Sequence, residues 1–157
     1  MKRVTAAILI TLFAVSLAGA APSAPAKPGP RDKCPVCGMF VAKYPDFLAS
    51  VVFRDGAVFH FDGVKDLMKF YVRLDRYSPG RKQADIDGVW VTDYYRMKLI
   101  DGRRAHYVIG SDVYGPMGKE LIPFEKKGQA EEFLKDHRGE RIILFEGITP
   151  EVIRGLD

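Results

Sequence analysis

The chain has 157 residues, of which 24 are Lys or Arg and 20 are Asp or Glu, so its formal net charge is +4. At about 100–150 residues per domain, this length provides for one domain or two very small ones. The apolar fraction of 47% is typical of a globular protein and excludes wholesale disorder. The two cysteines exclude a disulfide-rich scaffold and a four-cysteine zinc site.

Residues 1–20 have the pattern of a secretory signal peptide. Lys2 and Arg3 precede an uncharged apolar stretch at 4–17, which is shorter than the roughly 20 residues that span a bilayer. We therefore expect cleavage after Ala20 and a periplasmic location, with an uncleaved anchor as the alternative. Because position 20 is Ala rather than Cys, we expect no lipid anchor. Cleavage leaves 22 basic and 20 acidic residues, and this small excess of +2 argues against nucleic-acid binding.

The segment at 21–33 contains four prolines separated by small residues. Proline lacks a backbone donor and interrupts both helices and central strands. We therefore predict an extended tether that leads into the folded part of the chain.

The first folded unit is predicted at 34–95. Two β-rich runs, at 49–53 and 57–61, flank an Asp-Gly turn, which is a strong hairpin signal. Apolar residues at helical spacing predict a helix at 63–71, and this spacing places Met68 in the core rather than at a metal. A closing strand is predicted at 89–92.

The second unit, at 96–157, repeats this order of elements. The pattern predicts an α+β protein with two small duplicated ββαβ units after the tether. The predicted elements of the second unit are strands at 106–109, 120–124 and 141–145, a helix at 129–137, and a short helix that begins at Pro150 after the capping residue Thr149.

Three sulfur atoms fall within six residues in the motif Cys34-Pro35-Val36-Cys37-Gly38-Met39. Soft thiolate and thioether ligands select soft ions such as Cu(I). Gly38 allows a tight turn that would face Cys37 and Met39 to one ion. From the motif alone, a structural Cys34–Cys37 disulfide in an interaction module and a thiol oxidoreductase remain alternatives, although no strand precedes Cys34 as a redox motif would require.

A second motif is the glycine-rich loop at 110–120, which carries Met117 between Pro116 and Gly118. Met117 is either a buried apolar plug or a thioether ligand that completes the soft site of the first unit. Of the three histidines, His106 and His137 are interpreted as structural or exposed. His60 lies in the half that carries the cysteines and is the candidate for a fourth ligand.

These motifs together resemble the NosL family over residues 32–156. The resemblance implies an accessory protein of nitrous oxide reductase that is not an enzyme, has two ββαβ units and delivers Cu(I) outside the cytoplasm. Its implied partners are a copper-requiring enzyme, nitrous oxide reductase or similar, and that enzyme's membrane-bound assembly machinery. The implied copper ligands are Cys37, Met39 and Met117, with Cys34 as an additional sulfur. The matching motifs are Cys34 to Met39, Phe59-His60-Phe61-Asp62, Gly110-Ser111-Asp112, Gly115-Pro116-Met117-Gly118 and Ile122-Pro123-Phe124.

Overall fold

The structure is a computed structural model that describes residues 24–157. The predicted signal peptide, its cleavage after Ala20 and the first residues of the predicted tether lie outside these residues. Within the tether, residues 24–32 form no helix or strand, and Lys27 and Pro28 line an apolar groove on the domain. In residues 24–157, no helix combines the length and the apolar character that crossing a membrane demands.

The first sheet is antiparallel and has four strands in the order β2-β1-β3-β4. The predicted hairpin is confirmed, because Val51 of β1 lies opposite Phe59 of β2 and the Asp55 side chain accepts a hydrogen bond from the Ala57 backbone at 3.0 Å. The strands are β1 (Ala49–Phe53), β2 (Val58–Phe61), β3 (Ile86–Asp93) and β4 (Lys98–Asp101).

Helix α1 (Val64–Val72) follows β2 and continues into the short helix α2 (Leu74–Tyr77). Its apolar face is buried, and Met68 is only 1% exposed, which confirms the predicted helix and the core position of this methionine. Phe70 also lies on that face, where its ring packs against the rings of several other aromatic residues, Phe53, Phe59, Phe61 and Tyr77.

The second sheet has three antiparallel strands in the order β8-β5-β9. Helix α3 covers it, with Ala130 and Phe133 packed against Phe124. A separate two-stranded hairpin, β6–β7, is inserted between β5 and β8. The elements are β5 (His106–Ile109), β6 (Tyr114–Gly115), β7 (Gly118–Lys119), β8 (Ile122–Phe124), α3 (Lys127–Asp136), β9 (Arg141–Leu144) and α4 (Pro150–Arg154).

The α+β class is confirmed. Three strands in each sheet follow the order second-first-third, as β2-β1-β3 and as β8-β5-β9. The duplication itself and the predicted domain limits stay predictions. The division predicted at residue 95 falls inside a hairpin, because β4 pairs with β3 in the first sheet. The Met97 backbone N–H donates to the Asp93 carbonyl at 2.9 Å and closes the turn between these two strands.

The two sheets meet at the end of β3. The Tyr94 backbone N–H donates to the Pro123 carbonyl of β8 at 3.0 Å. The Asp93 side chain is buried and accepts from the backbone N–H of Glu125 at 2.7 Å and from that of Arg96 at 2.8 Å. Asp93 therefore joins the first sheet to the strand and helix of the second.

Candidate metal site

The cysteine motif forms a tight loop. The Cys34 backbone N–H donates to the Met39 carbonyl at 2.9 Å, and the Gly38 N–H donates to the Cys34 carbonyl at 2.9 Å. Gly38 has a φ of 80°, in the left-handed region where a residue without Cβ is favoured. An antiparallel bridge between Lys33 and Phe40 closes the base of the loop. The loop therefore holds both thiols on one short stretch of backbone.

Two carboxylates meet the two thiols. Cys34 Sγ lies 3.3 Å from Asp66 Oδ2, and Cys37 Sγ lies 3.2 Å from Asp62 Oδ1. One donor atom from each of the four residues lies within 4.8 Å of the others. Ligand atoms of a tetrahedral site with bonds of about 2.0–2.3 Å are about 3–4 Å apart, so small shifts would bring all four to one ion.

Asp62 and Asp66 are positioned by helix α1. Asp62 lies two residues before the helix and Asp66 lies in its first turn. Both carboxylates therefore lie at the N-terminal end of the helix, which favours negative charge. The sequence prediction did not include these carboxylates as site residues. The signal that was available is the acidic pair with i,i+4 spacing at a predicted helix start.

The thiols are protonated in the absence of metal. Burial raises the pKa of the Cys34 thiol far above its usual range and raises that of Cys37 to about 12, and the nearby carboxylates add to both shifts. Both cysteines are free, and each thiol donates to a carboxylate. Thiol oxidoreductases need an exposed thiolate with a lowered pKa, so this environment is the opposite of what redox catalysis requires.

The two predicted methionine ligands occupy different positions. Met39 is half-buried and ends the cysteine loop. Met117 is 44% exposed at the tip of the β6–β7 hairpin, which excludes its interpretation as a buried plug. The Met117 carbonyl accepts from Lys65 Nζ at 2.7 Å, so the hairpin contacts the helix that also carries Asp66. The ligand roles of Cys34, Cys37 and both methionines stay predictions.

The histidines lie apart from the four grouped donors. His60 Nδ1 is 2.8 Å from Ser50 Oγ, and burial lowers the pKa of His60, which favours a neutral ring. His137 Nδ1 contacts Asp112 at 3.0 Å, at the end of α3. His106 lies in β5 of the second sheet. A role for His60 as a fourth ligand therefore rests on the sequence prediction alone.

The donor set determines which ions fit. Two thiolates with two carboxylates suit a borderline divalent ion such as Zn²⁺, whereas thiolates with thioethers suit Cu(I). The cysteine loop belongs to both sets, because Cys34 and Cys37 face the carboxylates and Met39 follows in the same loop. The arrangement can therefore hold a thiophilic metal, and the companion ligands decide which one.

The chain is similar in sequence to one known protein family. The family model named NosL matches residues 25–153. The copper-binding lipoprotein NosL of Stutzerimonas stutzeri is 27% identical over 131 residues, which cover 78% of this chain but only 65% of that protein.

Two solved structures are also similar. The crystal structure of the copper chaperone NosL from Shewanella denitrificans has 24% identity and a TM-score of 0.69, covering 83% of this chain and 99% of that one, which shows a shared fold. The solution structure of apo-NosL from Achromobacter cycloclastes has 22% identity and a TM-score of 0.47, covering 67% of this chain and 87% of that one. The Stutzerimonas protein is named a copper-binding lipoprotein and the Shewanella protein a copper chaperone, and neither is named as an enzyme, in agreement with the predicted absence of catalysis.

Proposed function

Because the chain belongs to the NosL family, we propose that it is an exported Cu(I)-binding chaperone that delivers copper for maturation of nitrous oxide reductase. The observation that carries this proposal is the cysteine loop, in which the Cys34 and Cys37 thiols lie within 4.8 Å of each other and Met39 follows in the same turn of backbone. The names of the similar proteins support copper as the metal. The softness of the thiol and thioether donors supports the oxidation state Cu(I).

The proposed copper ligands are Cys37, Met39 and Met117, with Cys34 as an additional sulfur. Cys37 and Met39 belong to one loop, and Met117 comes from the hairpin that contacts helix α1. Cu(I) accepts few ligands, and three sulfur atoms satisfy it. Each thiol loses a proton when it binds the metal, since the ligand form of cysteine is the thiolate.

Delivery requires that the bound ion can pass to another protein. Met117 is 44% exposed on a hairpin separate from both larger sheets, so it offers a side from which a partner's ligands can approach. The cysteines are less accessible, since Cys34 is buried and Cys37 is half-buried. We therefore propose that transfer begins with exchange of the Met117 thioether, followed by the thiolates.

Copper titration tests the ligand set. Reduced protein is titrated with Cu(I) against a coloured chelator, and we expect one ion bound per chain. Met117→Leu should weaken binding by about tenfold or more, because an isosteric apolar side chain replaces a ligand. Met97→Leu is the matched control, since Met97 is 51% exposed on a different turn. Equal affinity of Met117→Leu and the parent would exclude Met117 as a ligand.

A transfer experiment tests the client. Cu(I)-loaded protein is mixed with metal-free nitrous oxide reductase and, separately, with an unrelated metal-free blue-copper protein. We expect copper to move to the reductase after separation of the two proteins. Equal transfer to both acceptors would contradict a dedicated client.

Two further measurements test the location and the alternative function. Cell fractionation tests the periplasmic location. If the purified protein binds no Cu(I) and its Cys34–Cys37 pair is oxidised to a disulfide, the interaction module is favoured instead.

A further inference from the structure

Lys65 is a buried lysine whose side chain joins three segments of the chain. Its side chain is only 3% exposed. Its Nζ donates to the Met117 carbonyl at 2.7 Å and to the Leu156 carbonyl at 3.0 Å, and it lies 3.6 Å from the Asp157 carboxylate. A lysine is rarely buried to this degree unless its polar end is fully partnered, so these contacts are strong constraints on the local structure.

The backbone of the same residue holds the base of the hairpin. The Lys65 N–H donates to Glu120 Oε1 at 2.6 Å, and that oxygen also accepts from the Leu121 N–H at 2.9 Å. Gly63 permits this approach, because a Cβ there would lie 2.1 Å from Glu120 Oε2. Lys65 therefore contacts both the tip of the β6–β7 hairpin, at Met117, and the residue that follows it, Glu120.

The hairpin needs such anchors. Each of its strands has only two residues, and a short isolated hairpin is marginally stable in water. Met117 is largely outside the core, so packing of its own side chain does not hold it in place. The hydrogen bond from Lys65 is the contact that ties the Met117 backbone to the helix carrying Asp66.

We propose that Lys65 is a positioning residue for copper binding: it holds the β6–β7 hairpin on helix α1, so that the Met117 thioether is presented to the cysteine loop before the ion arrives. This role rests on the proposed function, because it assumes that Met117 is a ligand. Lys65 has no ligand atom in the site and acts only through the Met117 carbonyl. A ligand that is already held in place loses no conformational entropy when copper binds, so the affinity is higher.

A double-mutant cycle separates this role from a general effect on stability. Cu(I) affinity is measured for the parent, Lys65→Met, Met117→Leu and the double variant. We expect Lys65→Met to weaken binding roughly tenfold in the parent, the size of one lost hydrogen bond from a charged donor. In the Met117→Leu background, the same change should have no further effect, because the group that Lys65 positions has gone.

Lys127→Met is the matched control, since Lys127 lies in helix α3 and pairs with Glu131 rather than with the hairpin or the four grouped donors. Its affinity should equal that of the parent. The positioning role would be overturned if Lys65→Met lowered the Cu(I) affinity equally in the parent and in Met117→Leu. It would also be overturned if Lys65→Met left the affinity of the parent unchanged. If Met117→Leu alone has no effect, the ligand assignment fails first and the positioning role fails with it.

A spectroscopic measurement covers the case in which Lys65→Met does not fold. In metal-free parent protein with labelled backbone amides, the order parameters of the Met117 and Gly118 N–H groups should match those of the sheets, about 0.8 or above. The amides of β1 and β3 serve as internal references. A hairpin with order parameters below about 0.6 would show that Lys65 does not hold Met117 in place, and would overturn the proposal.

Discussion

At the residue scale, the state of the two thiols controls what the candidate site can bind. Cys34 and Cys37 are neutral donors to carboxylates in the metal-free protein, because burial raises the pKa of both thiols. Protonated thiols are poor nucleophiles and poor ligands, so the free protein is protected against unwanted thiol chemistry. A metal ion must therefore displace protons in order to bind.

This displacement predicts that Cu(I) affinity rises with pH. Cys37 has a pKa of about 12 and is fully protonated from pH 6 to 8, so each thiolate that binds copper releases one proton. The apparent affinity should rise about tenfold per pH unit for each thiolate ligand. Affinities are measured by chelator competition across this range. Cys37→Ser should reduce the rise in affinity per pH unit by one factor of ten, and an unchanged pH dependence would exclude Cys37 as a ligand. The same measurement on Cys34→Ser shows whether Cys34 is a second thiolate ligand.

At the element scale, the start of helix α1 is organised by a residue from the other half of the chain. The N-cap position is Gly63, which offers no side chain, and Glu120 accepts the Lys65 N–H in its place. Unpaired N–H groups at a helix start need such acceptors. Burial raises the pKa of Glu120 to about 7, since the ionised carboxylate loses its hydration and the two N–H donors only partly compensate.

Glu120 should therefore make the fold less stable as pH rises. Between its unfolded pKa of 4.5 and its folded pKa of about 7, the folded state binds more protons than the unfolded state, so the free energy of unfolding falls with pH in this window. Glu120→Gln keeps the acceptor oxygen but cannot ionise. Its stability relative to the parent, measured in urea, should increase from pH 4.5 to 7 by an amount on the order of 3 kcal/mol.

Glu151→Gln provides the control for this measurement. Neighbouring hydrogen-bond donors lower the pKa of the exposed Glu151 carboxylate, so its small contribution to stability is already present above pH 4.5 and the relative stability of Glu151→Gln should stay nearly constant from pH 4.5 to 7. A difference between Glu120→Gln and the parent that stays constant with pH would show that Glu120 ionises as easily in the folded as in the unfolded chain.

At the scale of the whole molecule, the two sheets form one structure because Asp93 and Tyr94 bridge them. Tyr94 extends the first sheet to β8 by a backbone hydrogen bond, and its ring packs against Phe124 and Phe133 of the second core. Asp93 adds two hydrogen bonds from a buried carboxylate. The Met117 hairpin and the cysteine loop come from different halves, so this junction also maintains the geometry between them.

Asp93→Ala should destabilise the whole protein. It leaves the Arg96 and Glu125 N–H groups without their acceptor, which costs about 3 kcal/mol in total. Urea unfolding is followed by Trp90 fluorescence and by circular dichroism, and the two signals should coincide in the parent. The control Asp87→Ala, at an exposed position of the same strand, should change stability by less than about 0.5 kcal/mol. Separate transitions in the parent would show that the two sheets unfold independently.

The spacing of apolar residues predicted most helices and strands, because this pattern involves only residues that are close in the sequence. The hairpin around Asp55-Gly56, helix α1 and the strand His106–Ile109 agree with the predicted positions within one or two residues. The helix predicted at 129–137 begins earlier, at Lys127. Strand β4 was not predicted, since its four residues carry no clear alternation and form a strand by pairing with β3.

The sequence by itself determined the α+β class, the tight cysteine loop with Gly38, and the identity of the sulfur atoms available to a metal. These properties depend on local backbone preferences and on chemistry that each residue carries wherever it lies. Only the tertiary structure decided that Asp62 and Asp66 face the thiols, because those contacts join residues that are 25 and 32 positions apart. It likewise decided that Lys65 holds the Met117 backbone across 52 positions. Such long-range contacts arise from how the elements pack, which no local pattern encodes.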